Sequence, residues 1–294
     1  MVASGMVFAE GDLPTRFLNQ GSVANTRHNM TQHQPGGGGP DGTKMDQFRN
    51  DYEEVCVYCH TPHGANSTTP EVPLWNRTVR VTTYQTYGQL GTSTLTQPIG
   101  QPGANSIACL TCHDGQTAVD SILNMPGSGR YNKAQETAVS NAFLNTWNNR
   151  GVDATSHMSL SATGCLSCHV NNGNPDDPGI TAGAADFTAF VIGTDLRNDH
   201  PVGIRFPTNN GPGTDFRTPT GTRGAITYFD SNLNGTMDKG DIRLYNTGEG
   251  AEVECASCHD PHGVPSGGPG SPFNPTFLRV SNTGSAVCLS CHVK

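Results

Sequence analysis

The 294-residue chain carries 17 Lys and Arg against 25 Asp and Glu, a net charge of −8, and only 14% of its residues are charged. Leu, Ile, Val and Phe make up less than a fifth of it while Gly (36) and Pro (20) are abundant, which excludes an aliphatic core of ordinary size, long helices and wide sheets. The acidic balance excludes nucleic acid as the natural partner, and the low charge content is unlike that of charge-rich disordered chains.

In chain order, residues 1–9 read as the tail of an export signal, with Val7-Phe8-Ala9 matching a small-residue cleavage pattern. That leaves 10–294 as one domain. No apolar run approaches the roughly 18 residues of a membrane-spanning helix. Residues 10–55 form a lead segment containing His28, His33 and a Gly-rich tract at 35–40 that reads as a linker. The best strand candidate in the first half is 79–84, and the best helix candidate is 133–147, where Ala134, Ala138, Phe143 and Trp147 recur at helical spacing. The segment 170–254 is rich in Asn, Asp, Gly and Pro, so loops are expected there.

All ten cysteines fall in five C-x-x-C-H units. These are Cys56, Cys59 and His60; Cys109, Cys112 and His113; Cys165, Cys168 and His169; Cys255, Cys258 and His259; and Cys288, Cys291 and His292. A zinc half-site or a redox dithiol does not require a His after every pair. Covalent c-type haem does. Two thiols one helical turn apart add to the two vinyl groups of one ring, and the adjacent imidazole takes the iron. Each unit is therefore expected on a short helical turn. The unequal spacing of the units argues against a solenoid of one repeat. Five haems would supply the apolar mass that the side chains lack.

Six histidines remain: His28, His33, His63, His157, His200 and His262. Five irons need five distal ligands, so the supply exceeds the demand by one. His63 and His262 sit in matching Cys-His-x-Pro-His-Gly contexts. Each follows a proximal His too closely to reach the far side of the same ring, so each is expected to serve a neighbouring haem. His200 precedes Pro201, and Asp199 is expected to accept its second ring N–H. His157 and His28 complete the distal set, and His33 is the surplus. Met30, Met45, Met125 and Met158 are the alternative ligands.

Residues 230–241 place Asp230, Asn232, Asn234, Asp238 and Asp241 at positions 1, 3, 5, 9 and 12 of an EF-hand-type loop, with Gly235 at position 6 and Thr236 offering its carbonyl at position 7. Structural Ca²⁺ is expected in this 225–245 region. The preceding 225–229 reads as a strand, so a full helix–loop–helix is not expected.

The paired Cys-His-x-Pro-His-Gly elements, the Asp199-His200-Pro201-Val202-Gly203 segment, the acidic loop and the Gly/Asn-rich body resemble multihaem c-type cytochromes with doubled C-x-x-C-H motifs. Within them the chain is similar to extracellular cytochromes that polymerise into haem nanowires. The resemblance implies a mostly irregular fold with short helices and few short strands around a stacked haem core. It implies electron transfer rather than enzymatic catalysis, an extracellular or cell-surface location, and partners that are other copies of the chain, redox proteins or extracellular acceptors. It also implies that one subunit supplies a distal His to the next, with His28 as the candidate. A soluble periplasmic shuttle is the alternative, and an oxyanion reductase a more distant one.

Overall fold

The computed structural model describes residues 18–30, 52, 54–69, 71–79, 82–124, 159–161, 164–167 and 187–293. The 133–147 helix candidate, His33, His157, Cys168 and His169 lie outside them. Most described residues are turns, bends and irregular backbone, as the Gly and Pro content requires. Helix α1, Ala104–His113, carries the second attachment motif. Helices α2, Cys255–Cys258, and α3, Ala286–Leu289, are single turns that carry or enter the fourth and fifth. Cys165–Ser167 is a 3₁₀ turn.

Five short strands form one antiparallel sheet between the third and fourth motifs: β1 Ile204–Arg205, β2 Gly221–Arg223, β3 Ile226–Phe229, β4 Ile242–Asn246 and β5 Ala251–Val253, in the order β1-β5-β4-β3-β2. β-Branched and aromatic residues dominate β3 and β4 and favour pleated backbone. Phe229 lies opposite Ile242 in register. Ile242 and Leu244, two apart on β4, face the same side and pack with Phe206 and Phe229. An isolated bridge joins Ile99 to Ile204, tying the sheet to the segment between the first two motifs.

The 79–84 strand is not found. Its described residues, 79 and 82–84, are not in a strand. A side chain takes the place of a partner strand there: Gln101 accepts the Tyr84 N–H (2.8 Å) and donates to the Tyr84 carbonyl (3.1 Å). The neighbouring Arg77 is only 1% exposed and donates to the carbonyls of Val119, Thr111 and Ala118.

Among the described residues, three small clusters of buried apolar side chains stand out. One holds Tyr52, Val57, Tyr58 and Ile122, with Cys59 packed against it. A second holds Tyr84, Leu110 and Leu196 beside α1. The third, under the sheet, is packed against Cys258 and Cys291. Each cluster therefore borders an attachment motif. No helix among the described residues is long and apolar enough to cross a membrane.

Candidate haem-binding site

Three attachment motifs share a local geometry. The His60 N–H donates to the Cys56 carbonyl (2.8 Å), His259 to Cys255 (3.1 Å) and His292 to Cys288 (2.9 Å), each closing one helical turn. The turn places both sulfurs on one side with the imidazole following. Each of these three histidines then leaves the turn in an isolated bridge, to Trp75, Leu278 and Phe216 respectively.

The second motif departs from the expected short turn. Cys109 and Cys112 lie in the C-terminal half of the ten-residue helix α1, and His113 is its last residue. The reason lies partly before the motif, where Gly103 and Ser106 are anchored from outside the helix, and partly within it, where Leu110 is fully buried against Tyr84 and Leu196. The helix stops just beyond Cys112, whose carbonyl accepts the Gly115 N–H (3.4 Å), with Gly115 itself left-handed (φ 75). Both Cys109 and Cys112 are half-buried.

Buried groups lock the motifs together. Glu254 is 1% exposed and caps α2 in a reciprocal capping box with Ser257. The same carboxylate accepts the Gly103 N–H at the start of α1 (3.0 Å) and the Ser106 hydroxyl, and Ser106 Oγ accepts the Cys255 N–H (2.8 Å). One side chain thus ties the second motif to the fourth. Burial pushes the Glu254 carboxyl up to about 7, against the lowering pull of its Ser106 and Gly103 hydrogen bonds.

The histidine rings are oriented from behind. Nδ1 of His60 faces the Pro73 carbonyl (2.8 Å), His113 that of Phe190 (2.7 Å), His259 that of Thr276 (2.7 Å) and His28 that of Pro261 (3.2 Å). Nδ1 of His262 faces Asp260 Oδ1 (3.0 Å). A carbonyl accepts only from a protonated Nδ1, which leaves Nε2 with a lone pair for a metal. Burial lowers the pKa of His28 to about 4, with His113 adding to the effect, and it lowers His60, His113 and His259 as well. The neutral form is the one that binds iron.

Two histidine pairs come together from distant parts of the chain. The His60 and His262 ring centroids are 6.1 Å apart with planes 10° from parallel. Those of His28 and His113 are 6.3 Å apart with planes at 84°. A metal–imidazole bond of about 2.0–2.1 Å, with the ring's own radius, sets trans imidazole centroids roughly 6 Å apart. In each pair one member is a motif histidine and the other a spare.

The spare histidines have different surroundings. The His28 ring lies beside His113 of its own chain. The Pro261 carbonyl holds its ring, which stacks on Phe277 at 4.5 Å. His63 has no ring partner among the described residues, although its sequence context matches that of His262. The contexts differ at one position: Thr61 donates to the His63 carbonyl (2.9 Å) and leaves the ring alone, whereas Asp260 holds the His262 ring. Nδ1 of His200 faces the carbonyl of Pro201 (3.0 Å), not Asp199. The adjacent carbonyl is covalently fixed within reach and needs no side chain to be ordered.

Gly64 and Gly263, which close the two Cys-His-x-Pro-His-Gly elements, both adopt left-handed backbone (φ 65 and 82), which glycine adopts without a Cβ clash. A Cβ at Gly263 would also lie 2.2 Å from the Phe273 ring.

These residues fit covalent haem. The nine described cysteines, Cys112 among them, form no disulfide. Burial raises the Cys59 thiol to about 12 and the Cys255 and Cys258 thiols to about 11, so they are not the low-pKa thiolates of a redox dithiol. Trp75, beside His60 at 6.0 Å, is 7% exposed, and its buried Nε1 has no acceptor among the described residues. An apolar ring with acidic edge groups, anchored on Cys56 and Cys59, suits that surrounding.

The acidic loop joins β3 to β4. Asp230 accepts the N–H groups of Asn234 (3.2 Å) and Gly235 (2.7 Å), and the fully buried Asp241 accepts those of Ser231 (2.9 Å) and Asp238 (2.8 Å). The Asn232 and Asn234 amides donate to Asp238 Oδ2 at 2.7 and 3.0 Å. Among the described residues no three His, Cys, Asp or Glu side chains gather as a metal site.

No curated protein matches the chain. A family profile described as the doubled CXXCH motif matches residues 248–294, which hold the fourth and fifth motifs with the Asp260-Pro261-His262-Gly263 turn. That match supports a c-type cytochrome with doubled haem-attachment motifs and covalently bound haem, of the multihaem kind that transfers electrons.

Proposed function

We propose that the chain is a pentahaem cytochrome that conducts electrons over long range through closely packed, bis-histidine haems. The observation that carries this reading is the pair of histidine couples at 6.1 and 6.3 Å, with Nδ1 of all four rings tied to a protein acceptor. Haem supplies reversible one-electron chemistry when bound. The chain supplies thioether anchors, axial imidazoles and shielding. In this reading His60 and His262 share the haem of Cys56 and Cys59, and His113 and His28 share that of Cys109 and Cys112. His169, His259 and His292 are the proximal ligands of the other three, with His63, His157 and His200 as their distal candidates. No residue has to act as acid, base or nucleophile, so the protein is read as a carrier rather than an enzyme.

The reading extends to an exported protein at the cell surface that assembles with copies of itself. The support is the resemblance to polymerising cytochromes and the extracytoplasmic setting in which covalent haem attachment takes place. The same reading keeps a Ca²⁺ at the 230–241 loop. Rotating the Asn232 and Asn234 amides would turn two donors into two inward oxygens around Asp238 and satisfy the oxygen-rich shell that Ca²⁺ takes. A chelator is expected to lower the melting temperature of the haem-loaded protein, and Ca²⁺ to restore it. An unchanged melting temperature would remove the ion from the account.

Mass spectrometry of the native protein tests the haem number, and carbon monoxide tests the coordination. Five added haems and no carbon monoxide adduct on the reduced protein are expected. Fewer haems would contradict the reading, and an adduct on a five-coordinate iron would contradict it and favour an oxyanion reductase.

A further inference from the structure

The two histidine couples differ in what stands behind them. His28 and His113 both face neutral backbone carbonyls, those of Pro261 and Phe190. His60 also faces a carbonyl, that of Pro73. His262 alone in these couples faces a carboxylate. Asp260 Oδ1 accepts both the main-chain N–H and the ring Nδ1–H of His262, each at 3.0 Å.

That carboxylate is built in. Its side chain is 8% exposed and its other oxygen lies 3.3 Å from Nη1 of Arg279, itself 4% exposed. Arg279 is fixed in turn by the carbonyls of Ala256 (2.9 Å) and Lys239 (3.0 Å). The Asp260 N–H donates to the Phe277 carbonyl (2.8 Å). Rotation of Asp260 away from His262 would break this network. The matching position of the first motif is Thr61, whose hydroxyl donates to the His63 carbonyl.

A carboxylate behind an imidazole draws the Nδ1 proton toward itself and makes Nε2 a stronger donor, more than a carbonyl does. A stronger donor favours ferric over ferrous iron. We propose that Asp260 is a positioning residue that lowers the potential of the haem shared by His60 and His262 below that of the haem shared by His28 and His113. The inference rests on the axial pairs assigned above. It gives the chain an energetic slope: an electron shared between these two sites favours the His28/His113 side.

The ring planes label the two sites. Near-parallel planes, 10° apart for His60 and His262, split the iron dπ orbitals and give a rhombic low-spin ferric spectrum. Near-perpendicular planes, 84° apart for His28 and His113, leave those orbitals close in energy and give a strongly anisotropic one. Redox titration of the full-length haem-loaded protein, followed by electron paramagnetic resonance, therefore follows the perpendicular site by its anisotropic signal and the parallel site as the rhombic component that His262→Ala removes.

Asp260→Asn keeps an acceptor but removes the charge. It is expected to shift the ferric/ferrous equilibrium of the rhombic site toward ferrous roughly tenfold, about 59 mV for one electron, and to leave the perpendicular site in place. Asp260→Glu is expected to recover most of the shift, and it serves as a second probe where the Asn variant matures poorly. An unmoved rhombic site, or both sites moving together, would overturn the role given to Asp260. His262→Ala separates this from the ligation itself. Loss of one rhombic low-spin component, with the signals of the other haems kept, is expected. Persistence of every component would take His262 off the iron, and the axial assignment would fall together with the inference.

Discussion

At the residue scale, the chemistry of the chain is concentrated in short motifs whose spacing does local work. C-x-x-C-H was legible because a single helical turn fixes where two sulfurs and an imidazole point, and the structure closes that turn with the same hydrogen bond in the first, fourth and fifth motifs. The glycine ending each Cys-His-x-Pro-His-Gly element has an equally local reason, a left-handed φ at both positions. Their surroundings differ, and that difference yields a prediction. Alanine at either position bears roughly 1–2 kcal/mol for the left-handed backbone. At Gly263 the new Cβ would also meet the Phe273 ring at 2.2 Å, while at Gly64 it meets the Asn124 amide at 3.1 Å. Gly263→Ala is therefore expected to cost about 1–3 kcal/mol more than Gly64→Ala, the range of an overpacked site. Thermal melting of the two haem-loaded variants checks the order, and equal melting temperatures would contradict it. What the motifs did not disclose is that the two elements are inequivalent. Thr61 and Asp260 occupy the same place in the pattern, but the Thr61 hydroxyl donates to a carbonyl while the Asp260 carboxylate stands behind a ring with Arg279 holding its other oxygen.

At the scale of elements, Glu254 links α1 to α2 and carries a pH dependence. Its carboxyl rises from an ordinary 4.5 to about 7, chiefly through burial. The folded chain therefore binds this proton more tightly than the unfolded chain does. Its contribution to stability is fully present below pH 4.5 and is lost as pH rises toward 7, on the order of 3 kcal/mol in all. Denaturant midpoints of the haem-loaded protein are expected to fall across that window, and those of Glu254→Gln to stay flatter, since the amide oxygen still accepts from Gly103 and Ser106. Parallel pH profiles for the two proteins would contradict the assignment. Element prediction from sequence succeeded where side-chain alternation was confined to one hairpin, as in 225–229, where β3 runs from Ile226 to Phe229. It fell short at the second motif, where Cys109 and Cys112 sit in a full helix because Glu254, far away in sequence, anchors its start. It failed at 79–84, whose β-branched pattern suggests a strand. There Gln101 satisfies the Tyr84 backbone and the buried Arg77 anchors the approach, a long-range solution that no local pattern encodes.

At the scale of the whole molecule, the low aliphatic content appears, among the described residues, as three small buried clusters, each beside an attachment motif. The composition made that fragmentation legible, because so few large apolar residues cannot form one continuous core. The pairing of histidines was not legible. His28 meets His113, and His60 meets His262, across long stretches of sequence. The sequence supplied the number of spare imidazoles but not their destinations. The segment 258–263 shows why the destinations matter. In the proposed reading its six residues would provide an attachment cysteine and proximal His259 to one haem site, the Pro261 carbonyl that orients His28 at a second, and His262 facing His60 at a third. Three redox centres held by one short turn would be close neighbours, which is the condition for rapid electron passage between them. The most direct test is an experimental structure of the haem-loaded protein that identifies the ligand trans to His60. The account predicts His262 there, with its ring Nδ1 on Asp260. A methionine, His63 or an open iron in that position would contradict it.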